Sequence, residues 1–152
     1  MKLRTLLLTC ALALASLTSA KANSPALDLQ QYAGKVVVID FWASWCTPCR
    51  KSFPWLNTMQ AKYADQGLVV IGVNVDEELA AAKEFLRDVP AQFQIHYDTS
   101  GQLAKKYEVL AMPSSYILDR QGNLVKTHLG FKSRNIAEYE KILVEQLNQK
   151  IN

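Results

Sequence analysis

The sequence predicts a single α/β domain with a mixed central sheet flanked by helices. Two continuous apolar runs, residues 36–42 and 68–75, read as strands buried on both faces, and such strands need helices above and below them. Segments with apolar residues at helical spacing alternate with these strands. No repeat, low-complexity tract or linker divides the chain of 152 residues, so one domain is expected.

A polar lead-in over residues 23–34 ends at Gly34-Lys35 and feeds the first strand, whose one polar residue is Asp40. A helix is predicted over residues 47–64, with Phe53, Leu56, Met59, Gln60 and Tyr63 along one side and Gly67 as its stop. Pro48 suits its first turn, and Pro54, lying deeper, should kink it. After the second strand, residues 77–89 form a helix with Leu79, Ala82, Phe85 and Leu86 inward, stopped by Pro90. Residues 93–97 suit a short strand, and residues 100–107 a helix capped by Thr99 or Ser100. Met112-Pro113 leads into a strand over 115–118, a turn at Asp119-Arg-Gln-Gly122 and a hairpin strand over 124–129. Residues 133–150 close the chain as a helix, with Ile136, Tyr139, Ile142, Leu143 and Leu147 at its spacing.

The first 22 residues read as a secretory signal peptide, leaving residues 23–152 as the domain. Lys2 and Arg4 precede a short apolar run from Leu6 to Leu17, and small residues follow, with cleavage expected after Ala20 or Ala22. The run is short for a bilayer, so an uncleaved anchor is the weaker reading. Thr9 and the short stretch ahead of Cys10 also argue against lipid attachment there. Loss of Lys2, Arg4 and Lys21 balances the 17 basic residues against the 14 acidic ones. The basicity thus belongs to the leader, and nothing points to a nucleic-acid partner. Cys46 and Cys49 are then the whole cysteine complement of an extracytoplasmic, periplasmic-type domain that is expected to act as a monomer.

Those two cysteines, in Trp45-Cys-Thr-Pro-Cys49, stand where the first strand gives way to a helix. Cysteines three apart on a first helical turn lie on one face, within reach of a disulfide. Helix N-terminal N–H groups favour the thiolate of the first, which should be exposed. This arrangement predicts dithiol–disulfide exchange, with Cys46 attacking and Cys49 resolving. An inert disulfide is the plainer alternative. Zinc would need two more ligands, and His96 and His128 fall in unrelated strands. Haem attachment would need a histidine where Arg50 stands. No cofactor beyond the redox-active Cys46–Cys49 pair, and no resident metal, is expected. Asp40 is a second candidate, because an acid inside a buried strand must stay neutral or find partners.

In order, Phe41-Trp-Ala-Ser-Trp-Cys-Thr-Pro-Cys49, Gly72-Val-Asn-Val-Asp76, Met112-Pro113 and Ile117-Leu-Asp-Arg-Gln-Gly122 resemble exported thioredoxin-like proteins of the TlpA/ResA type. The resemblance implies a thioredoxin fold with an extra helix and strand over residues 77–98, and an N-terminal strand pair shortened to residues 26–35. It implies that Asp40 accepts the proton of the buried second thiol. Many members carry a glutamate three residues after the second cysteine, where this chain has Ser52. Pro113 matches the family's cis-proline, which would set the backbone of Met112 beside the thiols to pair with a substrate strand. Trp45 would shape the docking surface, while Trp42 and Tyr116 read as core or rim aromatics.

Strongly oxidising pairs commonly place a histidine between the cysteines; Thr47-Pro48 supplies no such charge, which favours a reductase of disulfides in exported proteins. The resemblance implies a transmembrane thiol carrier as electron donor; apocytochrome c, a copper-site protein and a general pool of misoxidised proteins all present a disulfide in an extended segment and stay open as substrates. A copper-binding assembly chaperone using the same thiols is the rival reading, with Met112 as a third soft ligand. A peroxidase would need a lone cysteine in a different setting.

Overall fold

In the computed structural model, which describes residues 26–149, the run Val36–Trp42 forms strand β1 with every residue buried. It is followed by α1 (Cys49–Tyr63), β2 (Leu68–Asn74), α2 (Leu79–Asp88), β3 (Gln94–Tyr97), α3 (Gln102–Lys106), β4 (Ser114–Leu118), β5 (Leu124–Leu129) and α4 (Ile136–Leu147). The five strands form one mixed sheet in the order β3-β2-β1-β4-β5. β1 runs parallel to β2 and antiparallel to β4, β3 adds in parallel at the edge of β2, and β5 closes the other edge as a hairpin. The predicted insertion is therefore α2 plus β3, and it widens the sheet by one strand.

Alternation along β1 sorts the core. Val36 and Val38 pack with Leu56, Met59 and Tyr63 of α1 and Leu143 and Leu147 of α4. Val37, Ile39 and Phe41 face the other way, against Leu29 and Tyr32 of the lead-in and Leu103 and Tyr107 at α3. Trp42 joins Phe53 of α1 and Phe85 of α2, ring centroids 4.8–5.1 Å apart. Gly72 of β2 belongs to this tight corner. A Cβ there would lie 2.8 Å from Phe93 and 3.1 Å from Trp42 Nε1, so only glycine fits without displacing them.

Several local expectations are corrected. α1 starts at Cys49 and continues through Pro54, whose ring lies on the exposed side. Leu79 is exposed, and Ala82 and Phe85 carry the buried face of α2. The loop before α3 is held by Asp98, whose Oδ2 accepts from Ala104 N–H at 2.8 Å, and Gly101 stands at the helix boundary with φ 68°. A carboxylate three residues before that boundary does the work expected of Thr99 or Ser100. In place of a shortened strand pair, residues 26–35 hold a single 3₁₀ turn, Gln30–Tyr32. Leu27, Leu29 and Tyr32 there serve as a cover for the sheet. The expected signal peptide, residues 1–22, lies outside the described residues, as does Cys10.

Candidate active site

The site is built at the C-terminal ends of the parallel strands β1 and β2, the end where open α/β sheets present their ligands. Past Trp42 the chain makes a tight turn, with Cys46 N–H donating to Ala43 C=O at 3.1 Å. Buried Asp76, just beyond β2, clamps that turn. Its carboxylate accepts from Ser44 N–H at 2.8 Å, Ser44 Oγ at 2.9 Å and Asn74 Nδ2 at 2.7 Å. Sequence reasoning assigned Asp76 and Asn74 no role, although two polar residues ending a buried strand signal a network. Asp76→Ala is expected to destabilise the fold by about 1–3 kcal/mol, because it strands the Ser44 donors. Denaturant melts read that loss, and Asp76→Asn, which retains an acceptor, should recover part of it.

Cys46 and Cys49 are joined by a disulfide, with Cα atoms 5.3 Å apart. Cys49 N–H points at both Cys46 C=O, at 3.1 Å, and Cys46 Sγ, at 3.2 Å. Cys46 therefore precedes α1, and the first N–H of the helix is shared between its carbonyl and its sulfur. That donor and the positive end of the helix dipole stabilise negative charge on Sγ once the bond opens. The first turn carries no acidic residue. Arg50 beside it bonds Asp88 at 3.4 Å, with its guanidinium over the Phe85 ring at 4.9 Å.

The expected exposure of Cys46 is corrected: it is 3% exposed and Cys49 is fully buried. With the disulfide closed, both belong to the cluster of Trp42, Ala43, Phe53, Ala82 and Phe85. The surface around the pair is supplied by Trp45, 70% exposed, and by exposed Thr47 and Pro48. Met112 packs against the same cluster, and the Met112–Pro113 peptide is cis. Pro113 C=O is taken up by Gly130 N–H at 2.7 Å, which ties this loop to the end of β5. Of the predicted substrate-binding residues, Trp45 precedes Cys46 in the chain, Met112 packs on the cluster that holds the pair, and Pro113 follows Met112 through the cis bond.

Asp40 is fully buried on the face of β1 covered by α1, between Val38 and Trp42 in the strand's alternation. Ser115 Oγ donates to its Oδ1 at 2.5 Å, while Oδ2 is buried without a hydrogen-bonding partner. Burial pushes the carboxyl up from 3.8 to about 7, the Ser115 bond offsetting only part of this. Near neutrality such a group gives and takes a proton readily. Ser52, three residues after Cys49, is buried and donates to Cys49 C=O at 3.1 Å. His96 and His128 lie on β3 and β5, and among the described residues no three His, Cys, Asp or Glu side chains gather as a metal site.

The family model described as Redoxin matches residues 11–143 of this chain. The thiol-disulfide oxidoreductase ResA of Bacillus subtilis is 31% identical over 80% of this chain and 68% of its own length. Among solved structures, a chain assigned as thiol:disulfide interchange protein DsbE from Chlorobium tepidum is 43% identical. It superposes with a TM-score of 0.77, covering 79% of this chain and 85% of that one. An exposed lipoprotein thioredoxin of Streptococcus pneumoniae is 31% identical with a TM-score of 0.68, covering 77% and 89% of the two chains. A closed cysteine pair at a helix start, on a thioredoxin-like mixed sheet, agrees with these relatives: the chain belongs to the Redoxin family and is a thiol-disulfide oxidoreductase of the TlpA/ResA type.

Proposed function

We propose that this protein reduces disulfides in exported proteins, with Cys46 as nucleophile, Cys49 as resolving thiol and Asp40 as proton acceptor. The observation that carries this reading is a fully buried carboxyl, its midpoint near 7, on the sheet face beneath the helix that begins at Cys49. In the reduced protein the Cys46 thiolate attacks one sulfur of the substrate disulfide. A Cys46–substrate bond forms, and the other substrate sulfur leaves as a thiolate that takes a proton from water. Asp40 then removes the proton of the Cys49 thiol, and the new thiolate attacks Cys46 Sγ. The Cys46–Cys49 bond closes, the second substrate thiolate departs, and two electrons have passed from the dithiol to the substrate. Met112 and cis-Pro113 offer backbone alongside the pair for an extended substrate segment, and Trp45 offers an exposed apolar surface.

The extracytoplasmic setting is supported by the leader-like first 22 residues and by the pneumococcal relative's description as exposed. No helix among the described residues is long and apolar enough to cross a membrane. We infer that a transmembrane thiol carrier returns two electrons to the disulfide, and that the substrates are disulfide-bearing segments of proteins such as apocytochrome c or copper-site proteins. The protein acts as a monomer in this reading.

Direction is tested by potential. With Thr47-Pro48 uncharged, the expected value lies below about −200 mV, on the reducing side of protein disulfide isomerase. Equilibration in glutathione buffers, followed by Trp fluorescence, measures it. A value close to about −120 mV, the range of DsbA, would make the protein an oxidant instead.

A further inference from the structure

The register places three polar side chains in one row across the sheet. Asp40 on β1 pairs with Ser115 on β4, and Ser115 pairs with His128 on β5. Directly opposed residues project from the same face, so the row crosses the layer that otherwise holds Val38 and Ile117. The first link is a hydrogen bond, Ser115 Oγ to Asp40 Oδ1 at 2.5 Å. Beyond it lies a cavity of about 10 Å³ whose walls are largely apolar, Val38, Ile117 and Leu143 among them, with Ser115, His128 and Trp55 adding polar groups to the lining. His128 Nε2 and Trp55 Nε1 are both buried with no hydrogen-bonding partner. A space of this size just admits one water, and a water needs two to four partners. Trp55 N–H supplies a donor and His128 Nε2 an acceptor, and the single Ser115 O–H, which donates to the Asp40 carboxylate, turns to the water when Asp40 is protonated. No apolar packing need explains a serine, an indole N–H and an imidazole converging on one small space.

We infer that Ser115 and His128 form the route by which the proton taken up by Asp40 leaves the sheet, through one water in this cavity. The inference rests on the reading of Asp40 as proton acceptor. Protonated Asp40 gives its proton to Ser115 Oγ. The hydroxyl passes its own proton to the water, the water passes one to His128 Nε2, and the imidazolium releases its Nδ1 proton to solvent at the edge strand, after which the ring exchanges back to the tautomer with Nε2 free. One proton enters and one leaves, and Ser115 and the water are restored when their O–H bonds turn back. The carboxyl is fully enclosed, so its proton does not pass to solvent directly. Burial holds His128 below its ordinary value, with Lys126 on its own strand acting the same way and Glu138 of α4 opposing them. It therefore rests neutral at pH 7 and holds a proton only in passing. Tyr139, whose ring lies 4.3 Å from the imidazole, is the other titratable group against it.

The test is a pH jump on the oxidised protein, following the infrared band of the protonated Asp40 carboxyl, which Asp40→Asn identifies by removing it. From about pH 6 to about pH 8, Ser115→Ala and His128→Phe are each expected to slow loss of the band by about tenfold or more. Phenylalanine keeps the ring stack on Tyr139, and Ser115→Thr, which keeps the hydroxyl, should restore the rate. Wild-type rates in both variants would overturn the relay. So would slowing that Ser115→Thr fails to restore, since that marks a packing effect. Turnover separates the two readings: if Asp40→Asn reduces disulfides more slowly while the jump rates are unchanged, Asp40 stands and the relay falls. If Asp40→Asn turns over at the wild-type rate, the acceptor role fails and the relay with it.

Discussion

In the Cys49→Ser protein, covalent complexes held through Cys46 are expected to accumulate, whereas Cys46→Ser is expected to lose disulfide reduction altogether. The asymmetry follows from where the two sulfurs sit. Cys49 is fully enclosed, with its N–H on Cys46 Sγ and α1 running on from it. Cys46 lies at the end bordered by exposed Trp45 and Thr47. Both sulfurs are buried in the closed pair, but Cys46 is the one next to the exposed residues, so it is the one expected to meet a substrate disulfide, with Cys49 acting in release. With serine at position 49, attack proceeds within about threefold of the wild-type rate, because the attacking thiolate is untouched, but nothing breaks the mixed disulfide. With serine at 46, residues 23–152 hold no other cysteine that could attack from an accessible position. Non-reducing electrophoresis and mass spectrometry of the trapped partners decide the matter and name the substrates. Complexes in Cys46→Ser and none in Cys49→Ser would reverse the roles.

What the sequence makes legible here is local chemistry, and what it conceals is register. The apolar run of β1 announces a central strand, and the cysteine spacing announces a pair at a helix start, because both depend on residues a few positions apart. Asp40 stands out for the same reason, a lone acid in that run. Its partner does not. Ser115 is one polar residue among several, and only the antiparallel pairing of β1 with β4, across 75 positions, sets it on the carboxylate. His128 looked unrelated because it reaches the same row through a further pairing of strands. The Asp76 clamp on Ser44 spans 32 positions and was hidden likewise. Burial of Cys46 was misjudged from a different cause. The walls around it, Phe85 and Ala82, come from α2, an inserted element whose packing its own periodicity does not reveal.

Asp40→Asn is expected to be more stable than the wild type above about pH 7 and less stable than it near pH 4, where only the cost of the amide remains. A carboxyl whose midpoint rises from 3.8 when exposed to about 7 in the fold makes its charged form cost about 4 kcal/mol at alkaline pH. The sign follows from proton binding: between these two values the native state holds more protons than the unfolded chain, so stability falls as pH rises. Below about pH 4 both states are protonated and the group is silent. Above about pH 7 both are charged and the full penalty stands. Asparagine keeps the oxygen that Ser115 needs but sets an amide N–H₂ where Oδ2 had no partner. That unmet donor removes about 1–3 kcal/mol of the gain, so a net of about 1–3 kcal/mol is expected at pH 8. Urea unfolding across the pH range measures it, and the wild-type slope between pH 4 and 7 should flatten in the variant. Catalysis moves the opposite way. Attack by Cys46 stays near normal, while resolution slows near neutral pH and mixed disulfides persist, because Cys49 has lost its acceptor. The deficit should shrink as pH approaches about 8.5, where an ordinary thiol ionises unaided. A variant that gains stability on this schedule yet turns over at the wild-type rate would leave Asp40 as a buried charge without a catalytic task, and the proton of Cys49 would have to leave through water or the substrate.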